Sequence, residues 1–294
     1  MPKGNSIPQQ KTAQTAIKKT PHRRYLFYIS DIIKNIFVGL IIGSVMLIGG
    51  INFGTMANVF GIYDKLIYSI GNIFKNFKYS FLLLLQIFIG VIVGILLFSQ
   101  QMLDLVKDFE QPMMYLFIGA ILGSLPSIYR KSKVRKFKPF YLLFMFWGIG
   151  LIYALNLLPK NQIITYPTDF RGYGMLFICG VLASMAMMIP GTRVSRILLV
   201  MGMYEPILIA IVNLKLLYLF FIFLGFFAGS LLMAKTLSLA IKRFPAQMHF
   251  MILGFMLACI INIFPGIPNN YMIVACIAGL LFGFGFIYLI SRKK

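Results

Sequence analysis

The chain is poor in charged residues, and poorest in acidic ones. Of its 294 residues only 12% are charged, with seven Asp and Glu against 28 Lys and Arg, while 60% are hydrophobic. The mean hydropathy is +0.86. This composition excludes a soluble domain, and several apolar runs reach the roughly 18–20 residues that cross a bilayer. We therefore expect an all-α polytopic membrane protein.

Cysteine and catalytic motifs are also scarce. The three cysteines, Cys179, Cys259 and Cys276, all lie in apolar segments, which indicates packing roles and no disulfide or metal site. His22 and His249 have no second ligand nearby in the sequence. The chain has no Ser-His-Asp set, Walker loop or pair of catalytic carboxylates. We expect no enzymatic activity, no cofactor and no metal.

The net charge of +21 is distributed as in a membrane protein rather than a nucleic-acid-binding one. The basic residues lie in short loops beside apolar segments, which is the positive-inside pattern, and anionic lipids of the inner leaflet attract such loops. Residues 1–35 carry no removable signal and are predicted to form a basic cytoplasmic tail. We expect anionic lipids as partners and no nucleic acid.

An internal duplication is the most informative feature of the chain. Gly61-Ile62-Tyr63-Asp64 recurs as Gly202-Met203-Tyr204-Glu205, 141 positions later. An ordered series of matches argues against chance, and a duplicated membrane chain points to a transport site where the copies meet. The further pairs, offset by 141 and then by 135, are Gly39 and Gly180, Gly50 and Gly191, Gly90 and Gly225, Gly94 and Gly229, Gly119 and Gly254, and Gly148-x-Gly150-x-x-Tyr153 with Gly283-x-Gly285-x-x-Tyr288.

The length of the apolar segments predicts a re-entrant hairpin in each copy. Residues 36–70 are too long for one helix, whereas two full crossings with a turn need about 40 residues or more. A hairpin that returns to the same side fits, provided that its non-helical tip is buried or lines a wet cavity. The apolar segments are 36–48, 51–70, 80–99, 113–129, 139–158, 174–190, 194–213, 216–234, 248–264 and 271–290.

Loop charge supports the same arrangement. With one returning hairpin in each copy and both termini in the cytoplasm, 22 Lys and Arg lie inside and four outside. A single crossing over 36–70 would place a loop of six positive charges outside, against the charge rule. We predict a cytoplasmic tail (1–35), membrane repeat 1 (36–158), an external linker (159–173), membrane repeat 2 (174–290) and a cytoplasmic C-terminus (291–294). One hairpin plus three crossings per copy makes the repeat inverted, as in alternating-access carriers.

Arg193 and Arg196 are the first candidate ligands. They lie one helical turn apart after the Pro190-Gly191 break, and a charge at membrane depth normally faces a partner or a cavity. The start of the second hairpin helix would add free N–H groups, so Gly191, Arg193, Ser195 and Arg196 could bind a phosphate headgroup. The alternatives are an ion pair with Glu205 or Asp64, or a side chain that reaches the membrane interface.

The first hairpin offers neutral groups at the equivalent tip. Gly50, Asn52, Gly54 and Thr55 supply hydrogen-bond donors and a closely approachable backbone, and complete the predicted headgroup site. An equally good alternative is a tight turn with an Asn or Thr helix cap.

Asp64 and Glu205 are the acidic residues that the duplication retains. A carboxylate in a partly dry helical setting can take up and release a proton, so both are candidates for proton-coupled transport. The alternative is an interfacial acid, partnered by Lys65 in the first copy, or a helix cap.

The duplicated segment resembles the bacterial polyprenyl-phosphate (undecaprenyl phosphate) transporter family over residues 36–290. That family's first motif reads M-G-x-A/S-D-x-x-P-G-V-S-G-G-T, followed by L-G-I-Y-E/D, and corresponds here to residues 42–55 and 60–64. Its second motif, I/L-P-G-I/V-S-G-S with L-G-L-Y-E-P, corresponds to residues 189–195 and 201–206.

This resemblance implies a transporter that returns undecaprenyl phosphate to the inner leaflet of the bacterial cytoplasmic membrane for cell-envelope synthesis. The chain departs from the family at the hairpin tips, with Gly49 in place of Pro, and Asn52-Phe53 and Arg193-Val194 in place of Ser-Gly. A non-transporting paralog that acts as a lipid-binding regulatory or structural subunit is the alternative, as is a small-anion carrier. The sequence leaves a homo-oligomer open.

Overall fold

The computed structural model describes residues 21–46, 51–132, 134, 139–159, 170–268 and 272–292, without the side chains of 21–31, 103, 170 and 171. Gly50 and most of the predicted tail and external linker lie outside these residues. The described residues form helices and no strands. The helices are α1 (Pro21–Val45), α2 (Phe53–Val59), α3 (Tyr63–Gly71), α4 (Phe77–Asp108), α5 (Glu110–Lys131), α6 (Phe140–Leu157), α7 (Phe170–Met188), α8 (Val194–Val200), α9 (Tyr204–Val212), α10 (Leu216–Arg243), α11 (Pro245–Ile263) and α12 (Ile273–Arg292).

Six helices are long and apolar enough to cross a membrane: α4, α5, α6, α10, α11 and α12. They coincide with the six crossings predicted from the apolar segments. The remaining described helices are shorter or less apolar, and α8 and α9 form a broken pair bent by 111°. The chain is therefore an all-α, multi-pass membrane protein, as predicted.

Helices α1 and α4 cross at glycines and run in the same direction. A Cβ on Gly39 would lie 2.4 Å from the carbonyl oxygen of Ile87, and a Cβ on Gly43 would lie 2.2 Å from that of Val91. Only glycine allows so close an approach of two backbones. Residue numbers rise together along the two helices, so α4 starts at the end of the molecule where α1 starts. The chain between them must turn back, which is the hairpin geometry.

The second copy repeats this crossing between α7 and α10. A Cβ on Gly180 would lie 2.2 Å from the carbonyl oxygen of Ile222, and a Cβ on Gly225 would lie 2.0 Å from that of Phe177. Gly180 and Gly225 are the duplicated counterparts of Gly39 and Gly90. The predicted duplication therefore exists in space, with one hairpin per copy.

The last two crossings of each copy exchange partners. Helix α5 packs on α12 and α6 packs on α11. A Cβ on Gly119 would lie 2.1 Å from the carbonyl oxygen of Leu280, and a Cβ on Gly254 would lie 2.1 Å from that of Met145. The offset of 135 converts one contact into the other.

Ring contacts give the direction of the second copy. The ring of Tyr129 lies 5.9 Å from that of Phe250, and Tyr115 lies 6.0 Å from Phe264, measured between centroids. The C-terminal end of α5 therefore meets the N-terminal end of α11, its own counterpart in the other copy. Equivalent helices run in opposite directions, and the repeat is inverted.

The two hairpins are not packed equally. All residues of α2 after its first are buried, whereas α8 has no buried residue. Helix α3 packs against α10 of the other copy, and the main contacts of α9 are with α8 and α10 of its own copy. Hairpin 1 (α1 to α3) is thus embedded, and hairpin 2 (α7 to α9) presents part of its surface.

Candidate functional site

The tips of the two hairpins meet through the side chain of Asn52. Its Oδ1 accepts hydrogen bonds from the backbone N–H and the hydroxyl of Thr55, both at 2.7 Å, and so caps α2. Its Nδ2 donates to the carbonyl oxygens of Ile189 at 2.8 Å and Thr192 at 2.9 Å in hairpin 2. Asn52 and Thr55 are buried. The opposed tips predicted from the inverted repeat are therefore in direct contact.

Gly191 gives the tip of hairpin 2 its shape. Its φ of +82° lies in the left-handed region that favours glycine. Its N–H donates to the hydroxyl of Thr55 at 3.0 Å, and its carbonyl oxygen accepts from the side-chain amide of Asn262 at 3.3 Å. Side chains of the first tip therefore satisfy backbone groups of the second, as a buried irregular segment requires.

Gly54 serves close packing between the tips. A Cβ at this position would lie 2.8 Å from the carbonyl oxygen of Met188, at the end of α7. The polar groups of Asn52 and Thr55 already have partners within the protein, which matches the helix-cap alternative drawn from the sequence. Of the predicted first-tip residues, only Gly50 is outside the described residues.

Arg193 and Arg196 lie beside the C-terminal ends of two crossings. Arg193 is exposed, and its Nη2 donates to the carbonyl oxygen of Asn262 at 3.1 Å. The Nη2 of Arg196 donates to the carbonyl oxygen of Asn156. The side chains of Asn156 and Asn262 are hydrogen bonded to each other at 3.0 Å. Ser195 is exposed beside the two arginines. We call these five residues the arginine cluster.

The arginine cluster is positively charged, and no acid in the described part of the chain compensates it. Among the described residues neither arginine forms an ion pair, and the buried Nε of Arg196 has no hydrogen-bond partner. The alternative of an ion pair with Glu205 or Asp64 is therefore not what the structure contains. Helix α8 has only seven residues, so the guanidinium groups, rather than the helix end, supply the positive charge. Each guanidinium retains N–H donors that suit a phosphate.

The two retained acids differ in their surroundings. Asp64 forms an ion pair with Lys131 of α5 at 2.8 Å, and Nε2 of His249 in α11 lies 4.0 Å from the same oxygen. The sequence suggested Lys65 as the partner, but successive residues of a helix do not face one another. Glu205 is exposed and has no ion pair within the described part of the chain.

Sequence reasoning missed His249 and the two asparagines. His249 is buried, with Nδ1 2.7 Å from the carbonyl oxygen of Pro245. Its approach to Asp64, like the contact of Asn156 with Asn262, depends on how helices of different copies pack, and no local motif marks either. In the described residues no three His, Cys, Asp or Glu side chains are grouped to hold a metal.

Residues 42–279 match the model of a family described as undecaprenyl phosphate translocase-like. The chain belongs to this family. The match includes the contacting tips, the arginine cluster and Asp64. These structural features therefore lie within the segment that matches the undecaprenyl phosphate translocase-like family.

Two curated relatives are each named Polyprenyl-phosphate transporter. The one from Staphylococcus aureus is 28% identical over 271 residues, which cover 88% of this chain and 95% of the relative. The one from Vibrio cholerae is 28% identical over 255 residues, which cover 81% of this chain and 78% of the relative. No solved structure shows significant similarity to the chain.

Proposed function

We propose that this protein moves a polyprenyl phosphate, of the undecaprenyl phosphate class, between the two leaflets of a bacterial cytoplasmic membrane. Family membership and the names of both relatives support this substrate. The inverted repeat with contacting tips supports a carrier that exposes its site alternately to the two faces. The carrier lipid would thereby be recycled for cell-envelope synthesis.

The arginine cluster carries the proposal for the headgroup site. Arg193 and Arg196 bring two positive charges to one place, and the described residues offer no acid to neutralise them. A phosphate monoester bears about −1.5 to −2 charges at neutral pH, and arginine can hold it through two parallel hydrogen bonds. Ser195 would add a hydroxyl. The isoprenoid chain would stay in lipid, beside the exposed surface of α8.

The other predicted site residues belong to the hairpin tips and contribute through the contact between them. Asn52, Thr55 and Gly191 lock the tips together in the present conformation, and Gly54 packs between them. Gly50 belongs to the same tip by sequence. We assign these residues to positioning hairpin 2 rather than to direct contact with phosphate. A carrier cycle requires these few hydrogen bonds to break and form again.

Proton coupling through Asp64 and Glu205 is part of the proposal. Asp64 is paired with Lys131, so its protonation would remove the ion pair that joins hairpin 1 to α5. Glu205 lies in the first turn of α9 on the exposed hairpin, where it can exchange protons with water. Flip rates measured with and without a pH gradient, in wild type and in Asp64→Asn and Glu205→Gln, test this: a gradient dependence that survives both substitutions excludes these acids.

The proposed orientation follows from loop charge. The predicted tail (1–35) and C-terminus (291–294) would lie in the cytoplasm, together with the basic loops. The linker (159–173) and the arginine cluster would then lie toward the external face, and anionic lipids would contact the inner loops. The proposal requires neither a second copy of the chain nor enzymatic chemistry.

The direct test is flip of fluorescent undecaprenyl phosphate in vesicles that contain the purified protein. We expect Arg193→Gln/Arg196→Gln to reduce flip at least about tenfold, because it removes charge-assisted hydrogen bonds. Lys107→Gln, an exposed cation at the end of α4, is the matched control and should behave as wild type. Arg193→Lys/Arg196→Lys keeps the charge and should retain partial activity.

The same assay separates the alternatives. Wild-type protein that binds the lipid without flipping it would favour the lipid-binding subunit. Transport of inorganic phosphate in place of the lipid would favour the small-anion carrier. Unchanged flip in a folded Arg193→Gln/Arg196→Gln variant would refute the headgroup site.

A further inference from the structure

A cavity of about 230 Å³ lies at the end of the molecule opposite the arginine cluster. It opens between the turn after α2 and the C-terminal ends of α5 and α12. Because a water molecule takes up about 30 Å³ of liquid, the cavity has room for several waters or for a phosphate group. Its lining residues are Val59, Phe60, Gly61, Ser127, Arg130, Lys131, Ile290 and Ser291.

The inverted repeat relates this cavity to the arginine cluster. Adding the offset of 135 converts Ser127 into Asn262, and subtracting it converts Ser291 into Asn156. Asn156 and Asn262 are the residues whose carbonyl oxygens hold Arg196 and Arg193. The cavity is therefore built from the repeat-related counterparts of the two helix ends that form the arginine cluster, at the other end of the bundle.

An arginine occupies the equivalent contact in both places. The Nη2 of Arg130 donates to the carbonyl oxygen of Ser291 at 3.0 Å, as the Nη2 of Arg196 donates to that of Asn156. The arginines come from different elements, α5 in the cavity and α8 in the cluster. The first hairpin has Asn52 and Thr55 where the second has Arg193 and Arg196. The cations of the cavity are therefore supplied by α5 instead of by a hairpin.

The cavity has a net positive charge. Lys131 is paired with Asp64 at 2.8 Å and lies 3.5 Å from the carbonyl oxygen of Gly61. Arg130 has no acidic partner among the described residues. One of the five guanidinium N–H donors is used by Ser291, which leaves the others for a ligand.

We propose that this cavity is a second binding site for the phosphate headgroup of a prenyl lipid, at the membrane face opposite the arginine cluster. The proposal rests on the proposed function, because it gives the transported headgroup a site at each end of its path. Arg130 and Lys131 would bind the phosphate, and the apolar side chains of Val59, Phe60 and Ile290 would contact the first isoprene unit. By loop charge this face is the cytoplasmic one.

A structural role for Arg130 is the competing explanation. An arginine that donates to a carbonyl at the end of α12 stabilises that helix whether or not a ligand binds. This role requires only the hydrogen bond from Arg130 to the carbonyl oxygen of Ser291. It does not require the other N–H donors of Arg130, the neighbouring Lys131 or the cavity. Binding measurements, rather than stability, therefore distinguish the two.

The test uses the full-length protein in nanodiscs of phosphatidylcholine, with farnesyl phosphate as the probe and calorimetric titration as the readout. The background is Arg193→Gln/Arg196→Gln, which removes the arginine cluster. We expect residual binding in this background, and we expect Arg130→Gln added to it to weaken that binding at least about tenfold. Arg292→Gln, which replaces an exposed cation at the C-terminal end of α12, is the matched control and should leave the residual binding unchanged.

Each outcome decides between the sites. Absence of residual binding in the background variant, or residual binding that is insensitive to Arg130→Gln, overturns the second site and leaves the proposed function intact. Wild-type affinity in the background variant, lost on Arg130→Gln, instead refutes the headgroup role of the arginine cluster and supports the cavity.

Two additional measurements serve as controls. If the Arg130→Gln variant does not fold, as judged by size-exclusion chromatography, Arg130→Lys takes its place and should weaken binding less than tenfold but measurably. Displacement of farnesyl phosphate by an equal concentration of inorganic phosphate would overturn the assignment to a lipid.

Discussion

The contact between the hairpin tips can be tested by replacing Thr55 with valine. The hydroxyl of Thr55 is fully buried, accepts a hydrogen bond from the N–H of Gly191 and donates one to Oδ1 of Asn52. Valine has nearly the same shape, so the substitution removes the hydroxyl and leaves little extra space. The N–H of Gly191 would then be buried without a partner.

The expected cost follows from these contacts. A buried donor left without its acceptor costs about 1–3 kcal/mol, and Asn52 keeps its bond to the N–H of Thr55 and its bonds to hairpin 2. We therefore expect Thr55→Val to lower the free energy of unfolding by about 1–3 kcal/mol. Combined with Asn52→Ala it should be non-additive by at least about 0.5 kcal/mol, because the two side chains are in contact.

Heat unfolding of the detergent-solubilised protein gives the measurement. Cys179, Cys259 and Cys276 are buried and free, so a thiol-reactive fluorophore labels them as the protein unfolds. Thr236→Val is the matched control, because the hydroxyl of Thr236 donates only to a carbonyl of its own helix and the residue is exposed. A Thr55→Val midpoint no lower than that of Thr236→Val would refute the tip contact.

Two further substitutions test particular backbone and charge contacts. Gly191→Ala should lower the unfolding midpoint more than Gly266→Ala. Both glycines have positive φ, but only at Gly191 would a Cβ contact a neighbour, the carbonyl oxygen of Phe255 at 2.9 Å. Equal unfolding midpoints for the two variants would contradict this steric explanation. Asp64→Asn and Lys131→Gln should show a coupling energy below about 1 kcal/mol in a double-mutant cycle, because both side chains are about one-third exposed. A larger coupling would mean that this pair is shielded from solvent.

The architecture could be predicted because its signals are long and repeated. The six crossings follow from apolar length, and the return of hairpin 1 follows from the length of 36–70 together with the sign of the loop charges. Gly119 and Gly254 show why the duplication was visible: each permits the same close crossing, so glycine is required twice. Apolar segment length and the need for glycine at a close helix crossing can both be read directly from the sequence.

The composition of the site could be predicted only in part. Arg193 and Arg196 were recognised because positive charge is rare in an apolar segment. The carbonyl groups that hold them belong to Asn156 and Asn262, on helices from different copies, and the choice of packing partner is not encoded locally. The same holds for Lys131, which contacts Asp64 although it lies 67 positions away in the chain.

The exchange of partners between the copies also constrains how the protein is made. The face of α5 that carries Gly119 and Gly123 is covered by α12, and residues of α12 follow nearly all others in the chain. When the ribosome has completed the first copy, that face still lacks its partner and α6 lacks α11. Neither half can reach its final packing alone, so native assembly of this membrane protein waits for synthesis of α12.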